Sequence, residues 1–259
     1  SNGLSHNRYN EFNVDKQGLI LNNATEAGLS QLGGAVAVNA NLNGKSASII
    51  LNEVVAANRS TLNGYIEVNG QAAEVILANP YGITCDGCGF INTPRATLTT
   101  GTPNIDGSGN LTGFSVRSGD IAIQGAGLDA SRQNYFDLIA RSFTIAGQVN
   151  AKDLQLIAGS NDFNYATRAA AIAAATGTAP TISIDSSQLG GMYADRIRLI
   201  ATENGVGVRL LGDVAASVDD ITLSAAGKLQ LQGKMSAQRD LNVAYTGAAA
   251  TDAMTMTGA

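Results

Sequence analysis

Short runs of alternating apolar and polar residues, punctuated by glycine and asparagine, fill this chain almost from end to end. Between residues 8 and 22 the pattern passes through Tyr9, Phe12 and Val14, turns at Gly18, and resumes at Leu19 and Leu21. That reads as strand, turn and strand, in the manner of a hairpin. Further strands are predicted at 35–38 and 46–56. Tyr65, Ile66 and Val68 lie between Asn-Gly turns at 63–64 and 69–70. The run AAEVILA at 72–78 has the continuous apolar character of a buried strand, and it leads straight into Asn79-Pro80-Tyr81-Gly82.

From about residue 102 the pattern loosens into a repeat. IAIQG begins at Ile121, FTIAG at Phe143, VRLLG at Val208 and LQLQG at Leu229. Second strands recur as LQLIAG at 154–159, IRLIAT at 197–202, ITLSAA at 221–226 and LNVAYT at 241–246. Two short strands and their turns every 21 residues or so fit one rung of a parallel β-helix. Val208, Leu210, Leu229 and Leu231 should face the core, with Arg209, Gln230 and Gln232 facing water. The glycines at 125, 147, 212 and 233 share one register position. The Ala-rich run in 160–180 has good helix propensity and reads as an excursion from one rung, a surface loop with a helical turn. The fold class is therefore all-β.

Composition agrees with that picture. Charged residues are 14% of the chain against roughly 25% in an ordinary globular protein, and there are 30 glycines but only 4 prolines. Solubility must come from uncharged polar faces. The net charge of -5, the absence of any Lys/Arg cluster and the lack of Trp exclude a nucleic-acid footprint. No apolar run approaches the roughly 20 residues that span a bilayer. The opening Ser1-Asn2 reads as a scar or a processed start, and the end, AYTGAAATDAMTMTGA, as an unfinished repeat cut from something longer.

The two cysteines, Cys85 and Cys88, are a local disulfide or a redox or metal CxxC. A thioredoxin-type motif needs a helix opening at the first cysteine, which Gly82, Gly87 and Gly89 oppose. A zinc site needs two further ligands, and His6 is the sole histidine. A disulfide, the favoured reading, implies an oxidising compartment and adds only about 2 kcal/mol over so short a loop.

No catalytic constellation emerges, and no metal or cofactor is expected. Asp120, Asp153, Asp195, Asp220 and Asp240 each precede a strand and would form a ladder in a β-helix. Asx turns at strand entry account for them better than a cation or substrate groove, since Lys152, Arg196 and Arg239 stand beside three of them. His6 is expected to face solvent or cap a turn. Tyr65, Tyr81 and Phe90 are expected in core or turn packing rather than on a binding patch.

One resemblance is specific. GLSHNRYNEFNVDKQGLILNN, NANLNG, SASIILNEV and RSTLNGYIEVNGQAAEVILANPYGITCDGCGFINTPRATLTTG closely resemble the N-terminal secretion domain of two-partner-secretion exoproteins, the filamentous-haemagglutinin and haemolysin type. The variant CDGCGFINTPRATLTTG looks most like the contact-dependent growth inhibition exoproteins. The resemblance is dense over residues 3–101 and lies at the level of repeat pattern beyond.

It implies a right-handed parallel β-helix with an N-terminal cap and short extra-helical hairpins. As one domain over 1–259, this would comprise a cap and secretion-signal region at 3–101 and regular rungs at 102–259, truncated at the C-terminus. It also implies export through the periplasm to the cell surface of a Gram-negative bacterium, or secretion. The partner implied is an outer-membrane TpsB-type β-barrel transporter that recognises the chain through its POTRA domains. A target-cell receptor would be met by the rest of the full-length protein. The chain itself is expected to be monomeric and non-enzymatic. The family's marker motifs read NPNL and NPNG. Here they are Asn39-Ala40-Asn41-Leu42, with Ala in place of Pro, and Asn79-Pro80-Tyr81-Gly82, with Tyr in the third place. Asn39, Asn41, Leu42, Asn79, Pro80 and Gly82 are thus the expected recognition and turn residues. An adhesive module binding surface glycans or receptors is the alternative, and a carbohydrate-active β-helix enzyme would need an acid/base pair that the sequence does not supply.

Overall fold

The three long sheets of this protein are parallel throughout, each strand stacked on the one a rung earlier. They come from a computed structural model that describes residues 2–246 and 254–257. Ser1, and most of the closing segment read above as an unfinished repeat, lie outside the described residues. Sheet one has nine strands: Leu4–Tyr9, Ile49–Val54, Glu74–Ala78, Arg95–Thr99, Tyr135–Ala140, Asp153–Ala158, Arg196–Ala201, Ile221–Ala225 and Leu241–Tyr245. Sheet two runs from Ser60–Leu62 through Ile83–Cys85 and Asp120–Ile123 to Met254–Met256. Sheet three runs from Leu19–Asn23 through Tyr65–Gly70 and Cys88–Ile91 to Met235–Ala237. The chain visits them in that order, so one turn of this parallel β-helix has three faces.

The sequence pattern suggested two strands per rung. The third hides because its strands, such as Leu128–Ala130 and Val149–Ala151, are three residues long with a single outward side chain. Three residues leave no period to read. The strands at 8–22 also differ from the expected hairpin: Leu4–Tyr9 pairs with Ile49–Val54 in sheet one, whereas Leu19–Asn23 pairs with Tyr65–Gly70 in sheet three.

Like residues stack along the inside. Leu77, Leu98, Leu138, Leu156, Leu199 and Leu223 form one column in register, all at most 1% exposed. Burying each contributes roughly 1.5–3 kcal/mol. Val208, Leu210, Leu229 and Leu231 take the inward positions expected of them. The glycine register also holds, for a reason of space: a Cβ on Gly233 would fall 2.0 Å from the Gly212 carbonyl oxygen, and one on Gly212 2.8 Å from that of Gly190. Backbone packs on backbone at this corner.

The sheets cross the expected cap boundary without a break. Ala96 pairs back to Val75 and forward to Phe136. Parallel stacking therefore begins at Leu4 rather than after residue 101, because any strand that offers a parallel edge templates the next. Nor are the later rungs regular. Two excursions leave between sheets one and two and pair with each other in an antiparallel sheet of Thr102–Ile105, Leu111–Val116, Asn161–Asn164 and Ala169–Ile172. The Ala-rich run expected to carry a helical turn is thus a β-hairpin. Phe163 stacks on Phe114 at 6.4 Å, and the neighbouring strand's hydrogen bonds override alanine's weak β propensity.

This outer sheet explains why sheet one is apolar on both sides. Leu51, Ile76, Ala78, Ile139 and Ile157 point outward and form a second core with Phe114, Phe163 and Tyr165. A seam of charge borders it. Asp137, with no exposed surface, accepts from Arg95 Nε and from Arg168 Nε, each at 2.9 Å. Arg168, held at φ +59° in the second excursion, also reaches Asp153 at 2.9 Å. Arg196 continues the chain of pairs from Asp153 to Asp219. Arg95 lies over the Tyr165 ring at 3.7 Å. Replacing Asp137 by alanine would leave the buried Arg95 guanidinium without its carboxylate and Arg168 with Asp153 alone. The expected loss is about 3–5 kcal/mol, read as a lower urea midpoint, and an unchanged midpoint would show that the seam is not structural.

Candidate functional site

The two asparagine motifs build the same turn at different corners of the β-helix. In the second, Asn79 Oδ1 accepts from the Tyr81 N–H at 2.9 Å, and the Asn79 carbonyl accepts from Gly82 N at 3.0 Å. Asn79 Nδ2 donates to the Asn58 carbonyl and to Ser60 Oγ, both at 2.9 Å. The side chain is fully buried and ties the turn to the rung before it. In the first motif Asn39 Oδ1 accepts from Asn41 N at 3.1 Å, and the Asn39 carbonyl accepts from Leu42 N at 3.2 Å. Asn39 Nδ2 donates to the Asn22 carbonyl at 2.8 Å. Ala40–Leu42 is one turn of 3-10 helix with Asn39 as its N-cap. A side-chain turn of this kind adds an asparagine bond to the backbone turn bond.

The motifs do not converge on one site. Asn39 is half-buried and caps the crossing from sheet three to sheet one, and Asn79 is buried at the crossing from sheet one to sheet two. Asn41 is exposed, and among the described residues its side chain has no hydrogen-bond partner. Leu42 and Pro80 are half-buried. Gly82 is buried at φ +105°, and a Cβ there would fall 2.4 Å from Arg59 Nη1. Arg59 occupies that space because it grips both oxygens of Asp120 at 2.9 and 2.8 Å. Glycine at 82 is therefore required twice, for its backbone and for this ion pair.

Cys85 and Cys88 are joined in a disulfide that crosses from sheet two to sheet three. Both are buried in the main core, in the columns of Leu62 and Leu128. The pair pins one corner and offers no reactive thiol. The aspartates expected in a ladder are dispersed: Asp120 holds Arg59, Asp153 serves the charged seam, Asp195 accepts from Ser217 and Asp220 caps Asp240 N. Among the described residues no group of three or more His, Cys, Asp or Glu is placed to hold a metal ion. His6 lies 2.8 Å from Glu53 at the outer edge of sheet one. Phe90 is core, Tyr65 is half-buried with its hydroxyl on Asp129 at 2.9 Å, and Tyr81 is 47% exposed.

Sequence reasoning missed Glu67. Its carboxylate is buried beneath the hairpin Gly28–Ser30/Gly34–Val36 and accepts from Ser30 Oγ, Gln31 N and Leu32 N at 2.7, 2.8 and 2.9 Å. Burial alone would raise its pKa; the three hydrogen bonds outweigh that and hold it below the usual carboxylate range. Only a lone Glu between Ile66 and Val68 hinted at such a role.

The described residues form a parallel β-helix with asparagine-stapled corners and a buried corner disulfide. The sequence profile of the TPS secretion domain matches residues 1–231, and the chain belongs to that family. It is 54% identical over 91% of its length to the tRNA nuclease CdiA of Yersinia mollaretii, and 51% identical over 90% to the 16S rRNA endonuclease CdiA of Enterobacter cloacae. It spans only 8% and 7% of those two proteins. The crystal structure of the filamentous hemagglutinin secretion domain superposes with a TM-score of 0.80 at 35% identity, covering 96% of this chain and 89% of that one.

Two outcomes follow from the geometry. Asn79→Ala should cost roughly 2–3 kcal/mol, because it orphans buried partners, and Asn39→Ala about 1 kcal/mol; equal thermal shifts would contradict the burial difference. Glu67 has a depressed folded pKa, so its contribution is present above about pH 4.3, the unfolded value, and is lost as pH falls through the lower folded value. Glu67→Gln should therefore flatten the acid limb of the stability profile, measured by urea unfolding at stepped pH.

Proposed function

We propose that this chain is the export module of a contact-dependent growth inhibition toxin. In this reading it is recognised in the periplasm by the POTRA domains of a TpsB-type outer-membrane barrel, and it starts β-helix folding at the cell surface of a Gram-negative bacterium. One observation carries the reading. Relatives named for different RNA targets, tRNA and 16S rRNA, each match about nine-tenths of this chain at 50–54% identity. The shared segment is therefore not what distinguishes their targets; a common step such as export is what it can supply. Nuclease or other activity belongs to sequence outside the matched span, as does any receptor contact. No feature of the described residues favours the adhesive alternative.

The physics suits transit. The chain carries little charge, and its stability is assembled one rung at a time from parallel edges. A rung that has folded offers unpaired N–H and C=O groups to the next. An extended chain emerging in order could therefore be drawn into structure without any helical core forming first. The free edges of early strands are also suited to main-chain pairing with a partner.

Asn39, Asn41, Leu42, Asn79, Pro80 and Gly82 are proposed as the residues through which the transporter reads the chain. Asn41 separates recognition from architecture, since its side chain supports nothing in the fold. Asn41→Ala should leave the unfolding temperature unchanged and lower secretion several-fold when transporter and chain are co-expressed. Ala40→Pro should be secreted as well as the native chain. Secretion of native chain without the transporter would overturn the export reading, and undiminished secretion of Asn41→Ala would remove Asn41 from the recognition set.

A further inference from the structure

We propose that the turn at 164–168 is a latch, whose closure binds four successive rungs of sheet one into a single cooperative unit.

A stack of repeats that touch only their neighbours need not fold or unfold as a whole, because its stability is a sum of rung and interface contributions. The backbone of sheet one is such a stack. The tip of the second excursion lies across it. Tyr165 donates its hydroxyl to Glu74, and its carbonyl accepts from Arg95 Nη1 at 2.9 Å, with the Arg95 guanidinium 3.7 Å over the ring. Arg168 pairs with Asp137 at 2.8 Å and Asp153 at 2.9 Å, and its carbonyl accepts from Gln155 Nε2 at 2.9 Å. Glu74, Arg95, Asp137 and Asp153 stand on four consecutive strands of the sheet. At an inter-strand spacing of ~4.8 Å these span roughly 14 Å. One turn therefore joins strands that do not pair with each other, Glu74–Ala78 and Asp153–Ala158 among them.

The tip is braced to transmit that coupling. Asn164 Oδ1 accepts from Thr167 N and the Asn164 carbonyl from Arg168 N, both at 2.9 Å. Tyr165 N donates to the Thr112 carbonyl at 3.0 Å, and the buried ring meets Phe114 edge-on. Arg168 holds φ +59°, which a residue other than glycine keeps only where surrounding contacts impose it. Its two carboxylates are those contacts.

The contacts also come late. Tyr165 follows Glu74 by 91 positions and Arg95 by 70, and Arg168 follows Asp137 by 31. Folding in chain order sets down the early rungs with Glu74, Arg95 and Asp137 hydrated and with Leu51, Ile76 and Phe114 bare. Closing the tip buries both groups together. The open form is a stack of separable rungs, and the closed form is one unit.

Hydrogen exchange of the full chain, resolved by peptide, tests this for native protein, Tyr165→Phe, Arg168→Gln and Ile157→Val. In native protein Glu74–Ala78, Arg95–Thr99, Tyr135–Ala140 and Asp153–Ala158 should be protected equally, and Ile157→Val, a small loss of core, should lower all four alike. Tyr165→Phe should lower the protection of Glu74–Ala78 about tenfold below that of the other three. Arg168→Gln should lower that of Tyr135–Ala140 and Asp153–Ala158 about tenfold below that of Arg95–Thr99. Tyr165→Phe removes a single hydroxyl, and circular dichroism establishes that each variant folds. Unequal protection in native protein overturns the latch, and so does an equal fall across the four strands, or none, in either folded tip variant.

Discussion

A parallel rung cannot satisfy its own backbone. Every N–H and C=O along its strands must be answered by the rung before or the rung after. That constraint shapes the rest of the molecule. It forces inward residues into columns, so that leucine lies on leucine through six rungs of sheet one. It sets glycine on glycine where the corner between sheets two and three closes, because successive turns pass within contact distance of each other's carbonyls. It also leaves Leu4–Tyr9 as an open edge at one end of sheet one.

Insertions can leave such a stack only at its corners, and then they carry their own pairing problem. The two long excursions solve it jointly. Leu111–Val116 pairs with Asn161–Asn164 across 44 intervening positions or more, and the apolar outer side of sheet one becomes their floor. Buried ion pairs seldom add net stability over an apolar replacement, because both charges must first lose water. The seam of Arg95, Asp137, Arg168 and Asp153 has a different use. It fixes which excursion lies where, since Arg168 meets two carboxylates from two successive rungs at once. An apolar seam would allow the outer sheet to slide by a rung; the charges do not.

How far the sequence could show this depends on distance along the chain. Glu74–Ala78 read correctly as a buried strand because its apolar residues are consecutive. The repeat after residue 102 was visible because Val208 and Leu229 fall in register 21 positions apart. The third face escaped notice because three-residue strands have no period. The alanine run was misread because propensity was the only local signal, and the strand that holds its hairpin in place, Leu111–Val116 against Asn161–Asn164, lies far upstream. Glu67 and Ser30 meet across 37 positions and Arg168 and Asp137 across 31, with no repeat to announce them. The candidate site was legible as turns, since Asn-x-x-Leu and Asn-Pro-x-Gly carry their geometry locally. The place of Glu67 was not, because its partners reach it only when the hairpin Gly28–Ser30/Gly34–Val36 folds back over sheet three.

The same geometry explains why the first motif does without proline. In each turn the asparagine supplies three bonds: Oδ1 to the N–H two residues on, its carbonyl to the N–H three residues on, and Nδ2 to a carbonyl on another strand or connection. The residue after it contributes only a φ near that of proline, which a 3-10 turn at Ala40–Leu42 already adopts. Proline there would restrict the unfolded chain, worth well under about 1 kcal/mol, and form no contact that alanine lacks. At the second corner the demands are stricter. Asn79 is fully buried, Gly82 sits in the left-handed region against Arg59, and Asp120 closes the clasp from the next rung. A turn that holds two rungs and an ion pair in register benefits from a pre-set φ at Pro80. A turn that only caps the first rung needs its asparagine and little else.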